Sequence, residues 1–209
     1  MRVEGSGTEE LLQRAQSGDG VAMQTLLARH RDRLRRMISV RMDPRLAPRV
    51  DASDVIQETL AEACRELPDY LDRRPCPFYP WLRQIAWKHL VELHRRHVKA
   101  QRRTVRREAR LEMALSDPST ALLADRLAAS GTSIPGRLVR QELLGRLRQA
   151  LEELAPPDRE VVVLRHLEQL SLKEAAAIVG ITHVAARSRY RRAIQRLHVL
   201  LHDGSEDRR

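Results

Sequence analysis

The C-terminal part of the chain contains a segment in which basic side chains are concentrated. No acidic residue occurs between Ile181 and His198, whereas five arginines do: Arg187, Arg189, Arg191, Arg192 and Arg196. Arginine binds phosphate groups and forms paired hydrogen bonds to the edge of guanine, so this pattern favours a nucleic-acid contact. Spacings of four, three and four residues place a second set on one helix face, which is predicted to pack on a core: Ala186, Tyr190, Ala193 and Leu197.

The residues before this helix have the signals of a helix-turn-helix. Ser171 and Glu174 have the spacing of a capping box. Gly180 can adopt the left-handed conformation that ends a helix, and Thr182 can cap the helix that follows. In this motif the N-terminal part of the second helix enters the major groove of DNA. The alternative is a plain helical hairpin with a solvated basic face.

Two further helices are predicted to complete this C-terminal domain. The first covers residues 141–154 and is ended by Pro156 and Pro157. The second runs to about Leu167, and Asp158 is predicted to be its N-cap.

Four carboxylates in the N-terminal half form what we call the acidic stripe. Asp51, Asp54, Glu58 and Glu62 lie three, four and four residues apart, so they share one helix face. An acidic face would repel DNA, and it suits docking on a basic protein partner better. The alternative is a solvated helix face with no partner.

A long helix is predicted from about Trp81 to about Arg110. Its first half has an apolar face, and its second half, from His94, holds eight Lys or Arg residues and one acid, Glu108. These cations would lie along a DNA backbone, or alternatively form a disordered basic tail. Trp81 is predicted to be buried in the core. Trp87, on the more polar side, is either buried or stacks on an unpaired base.

Helical periodicity without strand-type alternation predicts an all-α fold of two small helical domains joined by a flexible linker. The expected divisions are residues 9–110, a linker at 111–140 with one short helix at 121–128, and residues 141–202. Gly18, Asp19 and Gly20 are predicted to separate two helices in the first domain. The four prolines from Pro68 to Pro80 predict a loop.

Composition narrows the class of protein. The net charge of +10 over 209 residues suggests a polyanionic partner. Cys64 and Cys76 match no zinc or redox spacing, and no apolar stretch is long enough to cross a membrane. We therefore expect a cytoplasmic protein without membrane insertion, metal site, cofactor or catalytic residues, and not an enzyme.

Two blocks of the chain resemble bacterial RNA polymerase sigma factors. Residues 170–182 (LSLKEAAAIVGIT) are similar to region four of that family, as are residues 154–161 before them and 187–193 (RSRYRRA) after them. Residues 51–59 (DASDVIQET) resemble the region-two segment that binds the polymerase core. Residues 80–86 (PWLRQIA) resemble the promoter-melting segment.

The chain departs from the family pattern at a few positions, and what lies between the two blocks implies one type of sigma factor. Ala185 stands where the family often has threonine, Trp87 and Lys88 stand where an asparagine is usual, and Glu92 replaces an aspartate. No third domain separates the two blocks, which implies the short extracytoplasmic-function type.

The resemblance implies a sigma factor that binds core RNA polymerase and promoter DNA, with an anti-sigma factor as a further candidate partner. The implied core-polymerase contacts are Asp51, Asp54, Val55, Gln57, Glu58 and Glu62. Those with the minus-ten DNA element are Trp87, Lys88, Arg95, Arg96, Lys99, Arg102 and Arg103. Those with the minus-thirty-five element are Thr182, Ala185, Arg187, Ser188, Arg189, Arg191 and Arg192. The alternative is a helix-turn-helix regulator with an N-terminal sensor or dimerisation domain.

Overall fold

The computed structural model describes residues 4–43, 46, 49–97, 117–129 and 137–206, which form nine helices and no strand. The predicted all-α class is thus confirmed over these residues. The chain divides into two compact units, residues 1–103 and 104–209. Over the described part, every helix is too short or too polar to span a membrane.

Unit 1 contains four described helices: α1 (Glu4–Gln16), α2 (Gly20–Arg41), α3 (Ala52–Arg73) and α4 (Phe78–His97). Helices α2, α3 and α4 pack on one another, and α1 packs on α2 and α3. The predicted break before Gly20 is confirmed, because the Asp19 carboxylate accepts hydrogen bonds from the Val21 and Ala22 N–H groups and so caps α2.

The core of unit 1 is built from the apolar faces of these helices. Its large, fully buried side chains include Leu26, Leu34, Met37, Ile38, Ile56 and Leu82. Trp81 is only 9% exposed and stacks on Tyr70 with ring centroids 4.5 Å apart, so its predicted core position is confirmed.

The loop predicted from Pro68 to Pro80 is wrong at both ends. Helix α3 continues through Pro68 to Arg73, and α4 begins at Phe78. Pro68 lies on the exposed face of α3, while Leu67 on the other face is buried. The backbone carbonyl left without a helical donor therefore belongs to Cys64, an exposed residue, so water can bind it. Pro80 lies in the first turn of α4, where no helical N–H is required.

Unit 2 contains the other five described helices: α5 (Asp117–Ala129), α6 (Arg137–Glu152), α7 (Pro156–His166), α8 (Leu172–Val179) and α9 (His183–Glu206). Helix α5 lies within the residues expected to be a linker and packs against α6 and α7. Helix α9 contacts α6, α7 and α8. The fully buried side chains at the centre of this unit include Leu151, Leu164, Leu170, Ala175, Ala186 and Ala193.

The N-terminus of α7 differs from the expectation. The N-cap is Ala155, and Pro156 occupies the first helical turn, so the prediction that Asp158 caps this helix is wrong. Proline is favoured at this position because its fixed φ suits a helix start. Asp158 consequently lies inside the first turn, with its side chain available for another partner.

Candidate functional site

The first helix and turn of the helix-turn-helix have the predicted geometry. Ser171 Oγ accepts a hydrogen bond from the Glu174 N–H at 3.2 Å, and the Glu174 carboxylate accepts one from the Ser171 N–H at 2.9 Å. Both bonds of the capping box are therefore present. Gly180 ends α8 in the left-handed conformation with φ 71°, as expected.

The second helix of the motif begins with a side-chain cap. Thr182 Oγ1 accepts a hydrogen bond from the Ala185 N–H at 3.2 Å. Thr182 is exposed and Ala185 is half-buried. The hydroxyl of Thr182 thus stabilises the first turn of α9, and its exposed side remains available to a ligand.

Helix α9 has one buried and one exposed face. Ala186 and Ala193 are fully buried and Leu197 nearly so, which confirms the predicted core face, while Tyr190 is half-buried beside His166. Arg187, Ser188 and Arg191 are exposed, and Arg189 is half-buried. The first turns of α9 therefore present two guanidinium groups and a hydroxyl to solvent.

Arg192 has a partner inside unit 2 that its position in the sequence does not reveal. Its guanidinium donates two hydrogen bonds to the Asp158 carboxylate, Nε to Oδ2 at 2.8 Å and Nη2 to Oδ1 at 2.9 Å. The Asp158 side chain is 10% exposed, whereas that of Arg192 is 62% exposed. The hydrogen bond from Arg192 to Asp158 also raises the pKa of Arg192 above its ordinary value.

The acidic stripe is divided by its contacts. Asp51 caps α3, where its carboxylate accepts a hydrogen bond from the Ser53 N–H at 2.8 Å. Asp54, Gln57 and Glu58 are exposed on the same helix. Val55 is only 1% exposed, so its side chain packs in the core rather than facing a partner.

Glu62 contacts two residues of α4, Lys88 and His89, and neither contact was predicted from the sequence. Its carboxylate accepts a hydrogen bond from Lys88 Nζ at 2.8 Å and lies 2.9 Å from His89 Nε2. The hydrogen bond from Lys88 lowers the pKa of Glu62. Two residues assigned to different interfaces, Glu62 and Lys88, thus contact each other and connect α3 to α4.

The outer face of α4 holds the other described minus-ten candidates. Trp87 is half-buried, with the Arg83 guanidinium 6.0 Å from its ring centroid. Arg95 and Arg96 are exposed, and Arg96 lies 3.7 Å from the Glu92 carboxylate one turn earlier. Lys99, Arg102 and Arg103 lie outside the described residues.

Among the residues that the structure describes, no group of three or more His, Cys, Asp or Glu side chains is arranged to hold a metal ion. The ion pairs of Glu62 with Lys88 and of Asp158 with Arg192 each join two neighbouring helices.

Comparison with known proteins connects these surfaces to a family. The family description Sigma-70 region 2 matches residues 26–104, and Sigma-70, region 4 matches residues 144–197. The ECF RNA polymerase sigma-E factors of Salmonella typhimurium and Escherichia coli are each 30% identical to this chain over 188 residues, covering 88% of both proteins. The RNA polymerase sigma factor CnrH of Cupriavidus metallidurans is 29% identical over 159 residues, covering 76% of this chain and 78% of CnrH.

A solved structure agrees with these matches. The structure of CnrH in complex with the cytosolic domain of CnrY is similar with a TM-score of 0.52 at 28% identity, covering 95% of this chain and 99% of that one. The acidic stripe and the basic face of α9 both lie within the matched regions. The chain therefore belongs to the sigma-70 family of RNA polymerase sigma factors, in its extracytoplasmic-function group, and is a factor of transcription initiation.

Proposed function

We propose that this sigma factor joins core RNA polymerase through unit 1 and recognises promoters through both units. Unit 2 contacts the minus-thirty-five element, and unit 1 contacts the minus-ten element and helps to open it. The single observation that carries this proposal is the first part of α9, where Arg187, Ser188 and Arg191 are exposed on a correctly capped helix-turn-helix. The chain performs no chemistry itself, and its place of action is the cytoplasm, where core polymerase and promoters are found.

The minus-thirty-five contacts are assigned from exposure and position on α9. Arg187 and Arg191 can bind guanine edges or phosphates, and Ser188, between them, can bond to either. Thr182 and Ala185 begin the helix and lie nearest its N-terminal end, with Arg189 at the flank. Arg192 is treated separately below because Asp158 binds its guanidinium.

The core-polymerase contact is assigned to the exposed part of the acidic stripe, Asp51, Asp54 and Glu58, together with Gln57. These side chains are exposed on a protein whose net charge is +10, so they suit a basic protein surface and not DNA. Val55 and Glu62 support this surface from within, since Val55 packs in the core and Glu62 pairs with α4.

The minus-ten contact is assigned to the outer face of α4 and the basic residues after it. Arg95 and Arg96 are exposed there, and Lys88 Nζ lies beside Glu62 with its side chain 58% exposed. We assign phosphate binding to these residues and to Lys99, Arg102 and Arg103 that follow them. We assign the half-buried ring of Trp87 to stacking on an unpaired base.

A protein partner that controls the factor is also proposed. CnrH has been solved in complex with the cytosolic domain of CnrY. By similarity, we propose that an anti-sigma factor binds this chain.

Initiation on a pre-opened template tests the proposal. Purified protein, core polymerase and a heteroduplex bubble template are combined, and co-elution with core and transcript yield are measured. We expect the wild type to co-elute and to stimulate initiation. Absence of both would refute the sigma assignment, and tight sequence-specific DNA binding without polymerase would favour the helix-turn-helix regulator instead.

Paired substitutions test the division between the two units. Arg187→Ala or Arg189→Ala should weaken promoter-specific initiation by about 1–3 kcal/mol per lost base contact while leaving co-elution with core intact. Asp54→Ala with Glu58→Ala should weaken core binding. Equal effects of all four substitutions in both assays would contradict the assignment.

A further inference from the structure

The side chains that join α9 to α7 lie on opposite flanks of α9. Asp158, in the first turn of α7, binds Arg192 through two hydrogen bonds. His166, at the last residue of α7, lies with its Nε2 3.1 Å from the Tyr190 hydroxyl. Tyr190 and Arg192 are two residues apart, which corresponds to about 200° around a helix. Helix α7 therefore contacts α9 through polar groups on both flanks.

Between these two contacts, the buried face of α9 consists of two alanines, and Leu197 is nearly buried one turn further along the helix. Ala186 and Ala193 are fully buried there, and the neighbouring α8 contributes Ala175 and Ala176. Methyl groups form shallow ridges and grooves, so they permit close approach of helices but restrict rotation about the helix axis weakly. The directional hydrogen bonds at Arg192 and Tyr190 can restrict it.

Rotation of α9 matters because its exposed face must match the DNA. Side-chain ends lie roughly 5–6 Å from a helix axis, so a rotation of about 20° displaces them by about 2 Å. Hydrogen bonds to base edges tolerate about 0.5 Å in length. A change in rotation of this size would remove the contacts of Arg187 and Arg191 without unfolding the helix.

We propose that Arg192 is a positioning residue: its pair with Asp158, opposite the His166–Tyr190 contact, sets the rotation of α9 and thereby the base contacts of Arg187 and Arg191. Arg192 itself is then not a base-contacting residue, in contrast to the expectation from the sequence. This inference rests on the proposed function of α9 in the minus-thirty-five contact.

For the substitution Asp158→Asn, the effect of charge alone and the effect of a positioning role on DNA binding have opposite signs. Removing an acidic group from a DNA-binding unit should strengthen DNA binding by charge alone. If the pair positions α9, the same substitution should instead lower the preference of the holoenzyme for its minus-thirty-five element. The expected loss is about tenfold, within the range for one lost base contact, while affinity for unrelated DNA holds or rises.

Arg192→Lys distinguishes the two roles of the cation. Lysine keeps the charge that a phosphate contact needs, but it cannot form the two parallel hydrogen bonds to Asp158. A positioning role predicts that Arg192→Lys loses preference as Arg192→Ala does, and that neither changes the salt dependence of binding. Asp158→Arg combined with Arg192→Asp should recover part of the preference. Tyr190→Phe, which removes the hydroxyl contact with His166 on the other flank, should lower the preference with little effect on folding.

The assay uses holoenzyme and two labelled duplexes. One carries the upstream element that wild-type holoenzyme selects from a library randomised at that position, and the other is unrelated in sequence. Affinities for both are measured over a range of salt concentrations. Asp125→Asn is the control, because the Asp125 carboxylate lies 4.0 Å from Arg148 of α6 and takes no part in either polar contact between α7 and α9, so its loss should leave the preference unchanged. Circular dichroism confirms that each variant is helical.

The outcomes separate the inference from the function on which it rests. If wild-type holoenzyme selects no upstream element, the proposed function of α9 fails. If the wild type has a preference that Asp158→Asn and Arg192→Lys retain, the positioning role is refuted. A salt dependence reduced by about one phosphate contact in Arg192→Ala would refute it too, by identifying Arg192 as a phosphate ligand.

Discussion

Glu62 differs from the other helical members of the acidic stripe, because it pairs with Lys88 of α4 whereas Asp54 and Glu58 are exposed. The substitution Glu62→Gln tests whether Glu62 stabilises unit 1 or binds a partner. The Glu62 side chain is 13% exposed and its Lys88 partner 58% exposed. Exposed ion pairs contribute about 0.2–1 kcal/mol, and hydrogen bonds to buried charged groups about 1.5–3 kcal/mol. One member of the Glu62–Lys88 pair is nearly buried and the other is exposed, so its contribution should lie between these two ranges. Glutamine keeps one acceptor oxygen for Lys88, which reduces the loss. We expect unit 1 to lose about 1 kcal/mol of its unfolding free energy, with a fall in Tm of about 4–8 °C.

Tryptophan fluorescence is the appropriate assay for this substitution. The two tryptophans, Trp81 and Trp87, both lie in α4, so their signal reports the unfolding of unit 1. Urea and thermal unfolding of the full chain are followed in this way, and affinity for core polymerase is measured in parallel. Asp54→Asn is the matched control, because Asp54 is an exposed acid of the same helix.

The two variants should behave oppositely. Glu62→Gln should destabilise unit 1 and change affinity for core polymerase less than twofold after correction for the folded fraction. Asp54→Asn should leave stability within about 0.5 kcal/mol and weaken core binding. Normal stability together with lost core binding in Glu62→Gln would show that Glu62 is a docking residue, and our reasoning would be refuted.

The pH dependence provides a second check on Glu62. Its folded-state pKa is lowered from the ordinary 4.5, so its contribution to stability is present above that pH and is lost as the pH falls through the lowered folded value. The stability difference between wild type and Glu62→Gln should therefore shrink in acid below pH 4.5. A difference that stayed constant down to strongly acidic pH would contradict the ion pair.

Three further predictions concern unit 2. Because both tryptophans lie in unit 1, the unfolding of unit 2 is followed by circular dichroism, as the loss of helical signal that is not accompanied by a change in tryptophan fluorescence. Leu164→Ala removes a fully buried side chain and should cost about 2–5 kcal/mol of unfolding free energy. Gly180→Ala should cost about 1–2 kcal/mol through its left-handed backbone alone, since no atom lies within 4 Å of an added Cβ, and Gly180→Asn should cost less. Burial lowers the pKa of His166 from 6.5, so the stability that neutral His166 contributes is present above pH 6.5 and is lost as the pH falls through the folded pKa. His166→Gln should make the unfolding free energy of unit 2 less dependent on pH. If urea unfolding at several pH values showed the same dependence in wild type and His166→Gln, the role assigned to His166 would be contradicted.

Features set by neighbouring residues could be predicted from the sequence. The Ser171–Glu174 capping box and the buried face of α9 at Ala186 and Ala193 follow from spacings of three or four residues, and the left-handed Gly180 follows from the residue type at the end of α8. Such spacings place groups together through helix geometry alone, whatever the rest of the chain does. The resemblance to sigma factors was also visible in the sequence, because the region-two and region-four segments are each continuous stretches of chain and occur in the same order as in the family.

Tertiary packing decided which of the charged residues are available to partners. Lys88 and Glu62 are 26 residues apart and Arg192 and Asp158 are 34 apart, and each pair meets only because two helices pack together. The same packing buries Val55 and leaves Pro68 on an exposed helix face, where a missing N–H is tolerated. Helical periodicity indicates the direction in which a side chain leaves its own helix. The neighbouring helix determines whether that side chain contacts solvent, the core or an opposite charge, and this requires the three-dimensional structure.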